Sequence, residues 1–93
     1  LPPALYFKDL SLYTAHMRVH ITRTDGVLWS GDADALTAPG TLGELTVLPH
    51  HVPLVSTLRA GTLSVKRGGS PVFRHEVTHG VLEVTAESVT VLL

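Results

Sequence analysis

Six histidines in a 93-residue chain are the first residues that could do chemistry, since neutral imidazole is the commonest metal ligand and titrates near neutrality. His75 and His79 are four apart, which on a helix would set both on one face, as in zinc-binding motifs. Their context, Val72 through Gly80, reads instead as strand and turn. An extended chain carries side chains four residues apart to about 13 Å, too far to share one ion. His50 and His51 are adjacent and point apart if extended. The residues therefore read as surface or loop histidines, and a site assembled from distant histidines is the alternative. Ser11, Ser30, Ser56, Ser64, Ser70 and Ser88 include no Gly-x-Ser-x-Gly elbow that would expose a nucleophile. Asp32 and Asp34 flank Ala33 and read as solvated turn acids. Gly40, Gly43 and Gly68-Gly69 precede neither Gly-Lys-Ser/Thr nor a helix start, so they make no phosphate loop. With no cysteine in the sequence, disulfides and thiolate metal sites are excluded. The expectation is a domain with no catalytic, cofactor or metal residues, acting through a surface.

The elements that would carry such a surface are strands. Val, Ile and Thr supply 24 residues, and β-branched side chains suit a pleated sheet. Turn signals recur at Asp25-Gly26, Pro39-Gly40, Pro49, Gly61, Gly68-Gly69-Ser70-Pro71 and Gly80. Between them the pattern alternates: Val19 and Ile21 oppose Arg18, His20 and Thr22; Leu63 and Val65 oppose Thr62, Ser64 and Lys66; Leu82, Val84 and Ala86 oppose Val81, Glu83 and Thr85. Period-two alternation marks strands with one buried and one solvated face. Nine are predicted, at 17–22, 27–32, 35–38, 45–48, 55–58, 62–66, 72–78, 81–86 and 89–93, and short strands at this spacing form a sandwich or barrel. Thr24-Asp25-Gly26 is read as the first hairpin turn, and Glu87-Ser88, which lacks glycine, as the last.

Composition bounds the rest. Ninety-three residues make one domain. Formal charge is −1, with neither sign clustered, so a nucleic-acid footprint is not expected. Only 16% of residues are charged, against about 25% in an average soluble domain, and mean hydropathy is positive. No apolar run is long enough to insert in a bilayer. Such a chain has either an unusually full core or apolar surface awaiting a partner. Residues 1–16 stand apart from 17–93. They open with Pro2-Pro3, lack a secretory signal, and repeat Leu5 and Leu12, Tyr6 and Tyr13 at the seven-residue spacing of a short amphipathic helix. They read as a leader or N-terminal extension, native or introduced with a vector.

The most unusual stretch runs from Ala38 to Leu58, where three prolines, two glycines and one acid, Glu44, are spread through mostly apolar residues. Thr24-Asp25-Gly26-Val27, Ala38-Pro39-Gly40, Gly43-Glu44-Leu45, Val47-Leu48-Pro49, His51 and Pro53-Leu54 resemble the epsilon subunit of F-type ATP synthases. The likeness continues through Leu58, Gly61-Thr62-Leu63, Gly80-Val81-Leu82-Glu83-Val84 and Val89-Thr90-Val91-Leu92. It covers 17–93 in unbroken order. The sequence departs from the common pattern at Arg23, at Thr46 and His50 where glycines are usual, and at His79-Gly80, which replaces a glycine pair.

The resemblance implies an all-β fold, a flattened antiparallel β-sandwich of about nine to ten strands. It implies a non-catalytic rotor subunit of the central stalk, held between the gamma subunit and the c-ring, coupling c-ring rotation to ATP synthesis. The location implied is the cytoplasmic face of a bacterial inner membrane, peripheral and without direct insertion. By matching positions, Gly40, Thr41, Leu42, Gly43, Glu44 and His51 are the expected c-ring contacts. The gamma-facing side is expected on an exposed apolar strand face, at Leu28 and Ser30 or at Leu82 and Val84. An unfilled partner face would let the isolated chain self-associate. The resemblance also implies a C-terminal helical hairpin that residues 1–93 do not include, so a short form or excised domain is expected, without inhibition or ATP sensing by that hairpin. The competing reading is a free-standing sandwich that binds metal or a small ligand through its histidines, or a small cupin-like metal enzyme.

Overall fold

A computed structural model describes residues 16–50 and 52–93. Residues 1–15 of the expected 1–16 leader, and His51, lie outside the described residues, as does the amphipathic helix expected around Leu5 and Leu12. Every element among the described residues is a strand: β1 Met17–Arg23, β2 Gly26–Ala33, β3 Ala35–Gly40, β4 Gly43–Val47, β5 Leu54–Leu58, β6 Gly61–Arg67, β7 Ser70–Val77, β8 Gly80–Val84 and β9 Ser88–Leu92. These are the nine predicted strands with ends moved by a few residues.

The strands hydrogen-bond in the order β2-β1-β9-β8-β5-β3-β6-β7, with β4 added on β3. Five strands form one layer and β4-β3-β6-β7 the other, joined where Gly40 of β3 meets Leu58 of β5. The result is a sandwich closed almost into a barrel. All pairings are antiparallel except β1 with β9, which run parallel from Arg18↔Ser88 to Thr22↔Leu92. That one parallel pair sits within an otherwise antiparallel sandwich, the architecture expected.

The core follows from the alternation. Val19, Ile21, Leu36, Leu63, Val65, Leu82, Val89 and Val91 are fully or almost fully buried, and alternate residues on the same strands face out. Each buried aliphatic side chain of this size contributes about 1.5–3 kcal/mol. Ala86 does not continue the buried face; it is exposed in the β8–β9 turn. That turn needs no glycine because Thr85 closes it. The Thr85 N–H donates to the Ser88 carbonyl (2.8 Å) and the Ser88 N–H to Thr85 Oγ1 (3.1 Å), a side chain standing in for a backbone turn.

Strand β3 runs two residues further than predicted, through Pro39 and Gly40, although proline is unusual inside a sheet. The reason is a change of partner. β3 pairs with β6 as far as Thr37↔Ser64 and then with β5. At the changeover Pro39 uses only its carbonyl, which accepts from the Arg59 N–H (2.9 Å). A Cβ on Gly61 would lie 2.7 Å from Pro39 Cβ, so glycine is what lets β6 start beside this proline.

Candidate docking surface

The hairpin β3–β4 has its register fixed by Ala38↔Leu45, Pro39↔Glu44 and Gly40↔Gly43, which leaves Thr41-Leu42 as a two-residue loop. Gly43 has φ +139°, a conformation glycine adopts without steric cost. A Cβ on Gly40 would come within 2.7 Å of the Gly43 carbonyl oxygen, so the pair of glycines is what makes the loop this tight. Thr41 ties the tip to β5: its N–H donates to the Thr57 carbonyl (3.1 Å), and the two hydroxyls lie 2.9 Å apart. The tip is thereby held rigid. On it Leu42 is 104% exposed, and the Glu44 side chain is exposed beside it, with no hydrogen bond or ion pair to any described residue.

Gly40, Thr41, Leu42, Gly43 and Glu44 therefore form one presented unit. His51 is outside the described residues, and its flanks are not part of that unit. β4 leads away from the tip and β5 leads back to it, so Pro49, His50, Val52 and Pro53 lie at the other end of both strands, about 13 Å or more along the sheet. A flat partner touching Leu42 would not reach them.

The expected gamma-facing residues divide. Leu28 is half-buried against the core and Ser30 is exposed, its hydroxyl 3.0 Å from His20 Nδ1. Leu82 and Val84 are only 0% and 3% exposed; they point inward, and no exposed apolar face lies on them. The correction is a matter of parity, since a shift of one residue exchanges the faces of a strand. Outside lie Val81 and Leu92, and the pairings Val27↔Thr22, Thr22↔Leu92, Leu92↔Val81 and Val81↔Thr57 set them in one cross-strand row. Val27, Leu92 and the nearby Val55 are exposed. Sequence reasoning missed this row, although the alternation that buried Leu82 already pointed Val81 the other way.

The described histidines are dispersed, and all but His50 have a partner side chain. His16 pairs with Asp34 (2.8 Å), His79 Nδ1 lies 3.1 Å from Thr78 Oγ1, and the Arg23 guanidinium donates to His75 Nε2 (3.0 Å). Among the described residues no three His, Asp or Glu side chains are placed to hold a metal ion. Asp32 and Asp34 do not act as a pair. Asp32 meets Arg18 (3.3 Å), whereas Asp34 accepts the Gly68 N–H and caps the β6–β7 turn. That N–H, with the His16 side chain second, holds the Asp34 carboxyl below the usual carboxylate range. No helix among the described residues is long and apolar enough to cross a membrane.

Comparison with known proteins bears on this surface. Residues 16–93 match the family model described as ATP synthase, Delta/Epsilon chain, beta-sandwich domain. An ATP synthase epsilon chain from Desulforamulus reducens is 41% identical over 75 residues, covering 81% of this chain and 56% of that one. One from Mycobacterium avium is 40% identical over 79 residues, covering 84% and 65%. The chain thus spans between half and two thirds of the length of these relatives. Among solved structures, a chain of the Euglena gracilis mitochondrial ATP synthase, in an assembly of OSCP, F1 and c-ring, superposes with a TM-score of 0.73 at 24% identity, over 84% of this chain and 50% of that chain. A chain from the central stalk and c-ring of the Tetrahymena thermophila enzyme gives 0.71 at 17% identity, over 85% and 63%. At those identities the superpositions speak for the fold. The sequence matches carry the assignment: the chain belongs to the beta-sandwich domain family of ATP synthase delta and epsilon chains.

Proposed function

We propose that this domain is a non-catalytic part of the rotor of a proton-translocating F-type ATP synthase, coupling c-ring rotation to ATP synthesis in the central stalk. The observation that carries the reading is the match of all the described strands to this family. Rigid presentation of Leu42 and Glu44 on the β3–β4 hairpin supports it, because a part that transmits torque needs contacts that do not yield. The hairpin tip is assigned to the c-ring. The gamma subunit is assigned to the outer face of the five-stranded layer, through Leu28, Ser30 and the row from Val27 to Val81. The complex would lie on the cytoplasmic face of a bacterial inner membrane. Isolated, the chain would self-associate through the row left open.

Capture by immobilised gamma subunit tests the reading. The expected result is a stable complex that survives washing at physiological salt; a chain that folds normally and is not retained would remove the rotor assignment.

A further inference from the structure

The two end strands of the sheet order, β2 and β7, approach each other without forming a hydrogen-bonded pair. Side chains bridge the seam: the Trp29 ring of β2 stacks on Phe73 of β7 (6.0 Å), Phe73 on His75 (6.1 Å), and His75 accepts from Arg23 at the end of the neighbouring β1 (3.0 Å). At the Arg23 end of this bridge is a cavity of about 170 Å³ lined by Arg23, His75, Glu76, Val77, Thr78, His79 and Leu93. That exceeds by an order of magnitude the ~10–15 Å³ that admits one water.

The polar lining of this cavity is mostly donors. Arginine has no acceptor, so its bond to Nε2 requires the other imidazole nitrogen of neutral His75 to carry the proton, as a donor. Arg23 forms no ion pair, since the two ion pairs among the described residues are His16–Asp34 and Arg18–Asp32. Glu76 belongs to the lining but is committed elsewhere: Thr62 Oγ1 donates to its carboxylate (2.8 Å to Oε2). Thr62 and Glu76 are cross-strand partners next to Leu63↔His75, and adjacent residues of a strand point to opposite faces. The carboxylate is thus drawn toward Thr62 on β6, while the Arg23 guanidinium beside His75 keeps spare donors. The Thr78 hydroxyl and the His79 imidazole stand on the rim, with Val77 and Leu93 as the apolar wall.

We propose that this cavity is an anion site that takes a phosphate group, held by the Arg23 guanidinium and hydrogen-bonded by the His75 and His79 imidazoles. An arginine fork matches phosphate oxygens two at a time and keeps its charge at every physiological pH. The wall of Val77 and Leu93 suits a phosphate that carries an organic substituent. The inference uses nothing from the rotor assignment and stands or falls separately from it.

The test is a titration of the ¹⁵N-labelled 93-residue chain with inorganic phosphate, followed by NMR and compared with potassium chloride at matched ionic strength. Saturable shifts are expected at the Arg23 Nε–H and at the rings of His75 and His79. Arg23→Gln is expected to weaken binding at least tenfold, and Arg59→Gln, a cation outside the cavity, to leave it unchanged. A second arm measures flotation with phosphatidylcholine vesicles with and without phosphatidylglycerol. Saturation by phosphate without flotation assigns a free phosphate; flotation with the anionic vesicles that Arg23→Gln abolishes assigns a lipid headgroup. The proposal is overturned if shifts follow chloride as they follow phosphate and no Arg23-dependent flotation occurs. It is equally overturned if a correctly folded Arg23→Gln chain, checked by its amide spectrum, binds as the native chain does.

Discussion

Two side chains show how single residues set local stability here. Asp34 joins the β2–β3 corner to the β6–β7 turn by accepting the Gly68 N–H and pairing with His16, and its carboxyl is held below the ordinary value of about 4. A carboxylate whose folded pKa is depressed adds stability above its unfolded pKa, and the gain is lost as pH falls through the folded value. Thermal melts of the native chain and Asp34→Asn should therefore differ at pH 6–7, with the native chain more stable, and converge as pH drops well below about 4. Parallel curves across that range would show that the Gly68 and His16 contacts contribute nothing. His50 is a different case. It has φ +65°, a left-handed conformation that costs an L-residue about 1–2 kcal/mol. The position is one where the resembled family usually has glycine. His50→Gly should raise stability by about 0.5–1 kcal/mol, the relieved strain less the extra chain entropy of glycine, and His50→Val should lower it. Chemical denaturation reads both signs, and a loss in His50→Gly would contradict the strain.

At the level of elements, the seam is where the fold depends most on side chains. β2 and β7 have no ladder between them, so side chains do the closing: Trp29 of β2 stacks on Phe73 of β7, His75 accepts from Arg23 at the end of β1, and Arg67 at the end of β6 donates to the Asp32 carbonyl (2.9 Å). Phe73 is half-buried at its centre. Phe73→Ala should cost about 2–4 kcal/mol, toward the low end for a partly exposed aromatic. Hydrogen exchange should speed up first at the amides of β2 and β7 and last in β1, β8 and β9. Uniform acceleration would mean that the bridge has no local role. The strands themselves were legible in the sequence because each records its own burial: Val19 and Ile21, or Leu63 and Val65, alternate with polar residues whatever the partner strand. The seam, the parallel β1–β9 pairing and the change of partner at Pro39 were not, because they join residues far apart in sequence and leave no local period. The site was legible in the same measure. The tight hairpin from Gly40 to Glu44 is written in adjacent residues, whereas the separation of Leu42 from Pro49 and Val52 comes from the direction of two strands. Leu82 and Val84, one of the two alternatives for the gamma-facing side, alternate with Val81 and Glu83, and that alternation commits them to the core.

The whole molecule combines these parts as two surfaces that meet where Thr41 bonds Thr57. The hairpin tip stands at one end of the sandwich, and the row Val27–Thr22–Leu92–Val81–Thr57 crosses the outer face of one layer. The Thr41–Thr57 contact links them, so force applied at Leu42 passes into the five-stranded layer through backbone and hydroxyl bonds. If the rotor assignment holds, these surfaces serve different partners and can be separated by substitution. Glu44→Lys and Leu92→Lys both fall on exposed side chains, and each should leave the melting of the isolated chain within about 0.5 kcal/mol of native. Glu44→Lys is expected to retain capture by gamma but to lower proton-driven ATP synthesis in the assembled enzyme, because it reverses an exposed, unpaired charge at the tip. Leu92→Lys is expected to weaken gamma capture tenfold or more, since it places a charge at the centre of the apolar row. Synthesis left intact by Glu44→Lys would remove the c-ring from the tip, and capture left intact by Leu92→Lys would remove gamma from the row. Should either variant impair both readouts equally, the two surfaces form a single interface, and the direct link through Thr41 and Thr57 would be where they join.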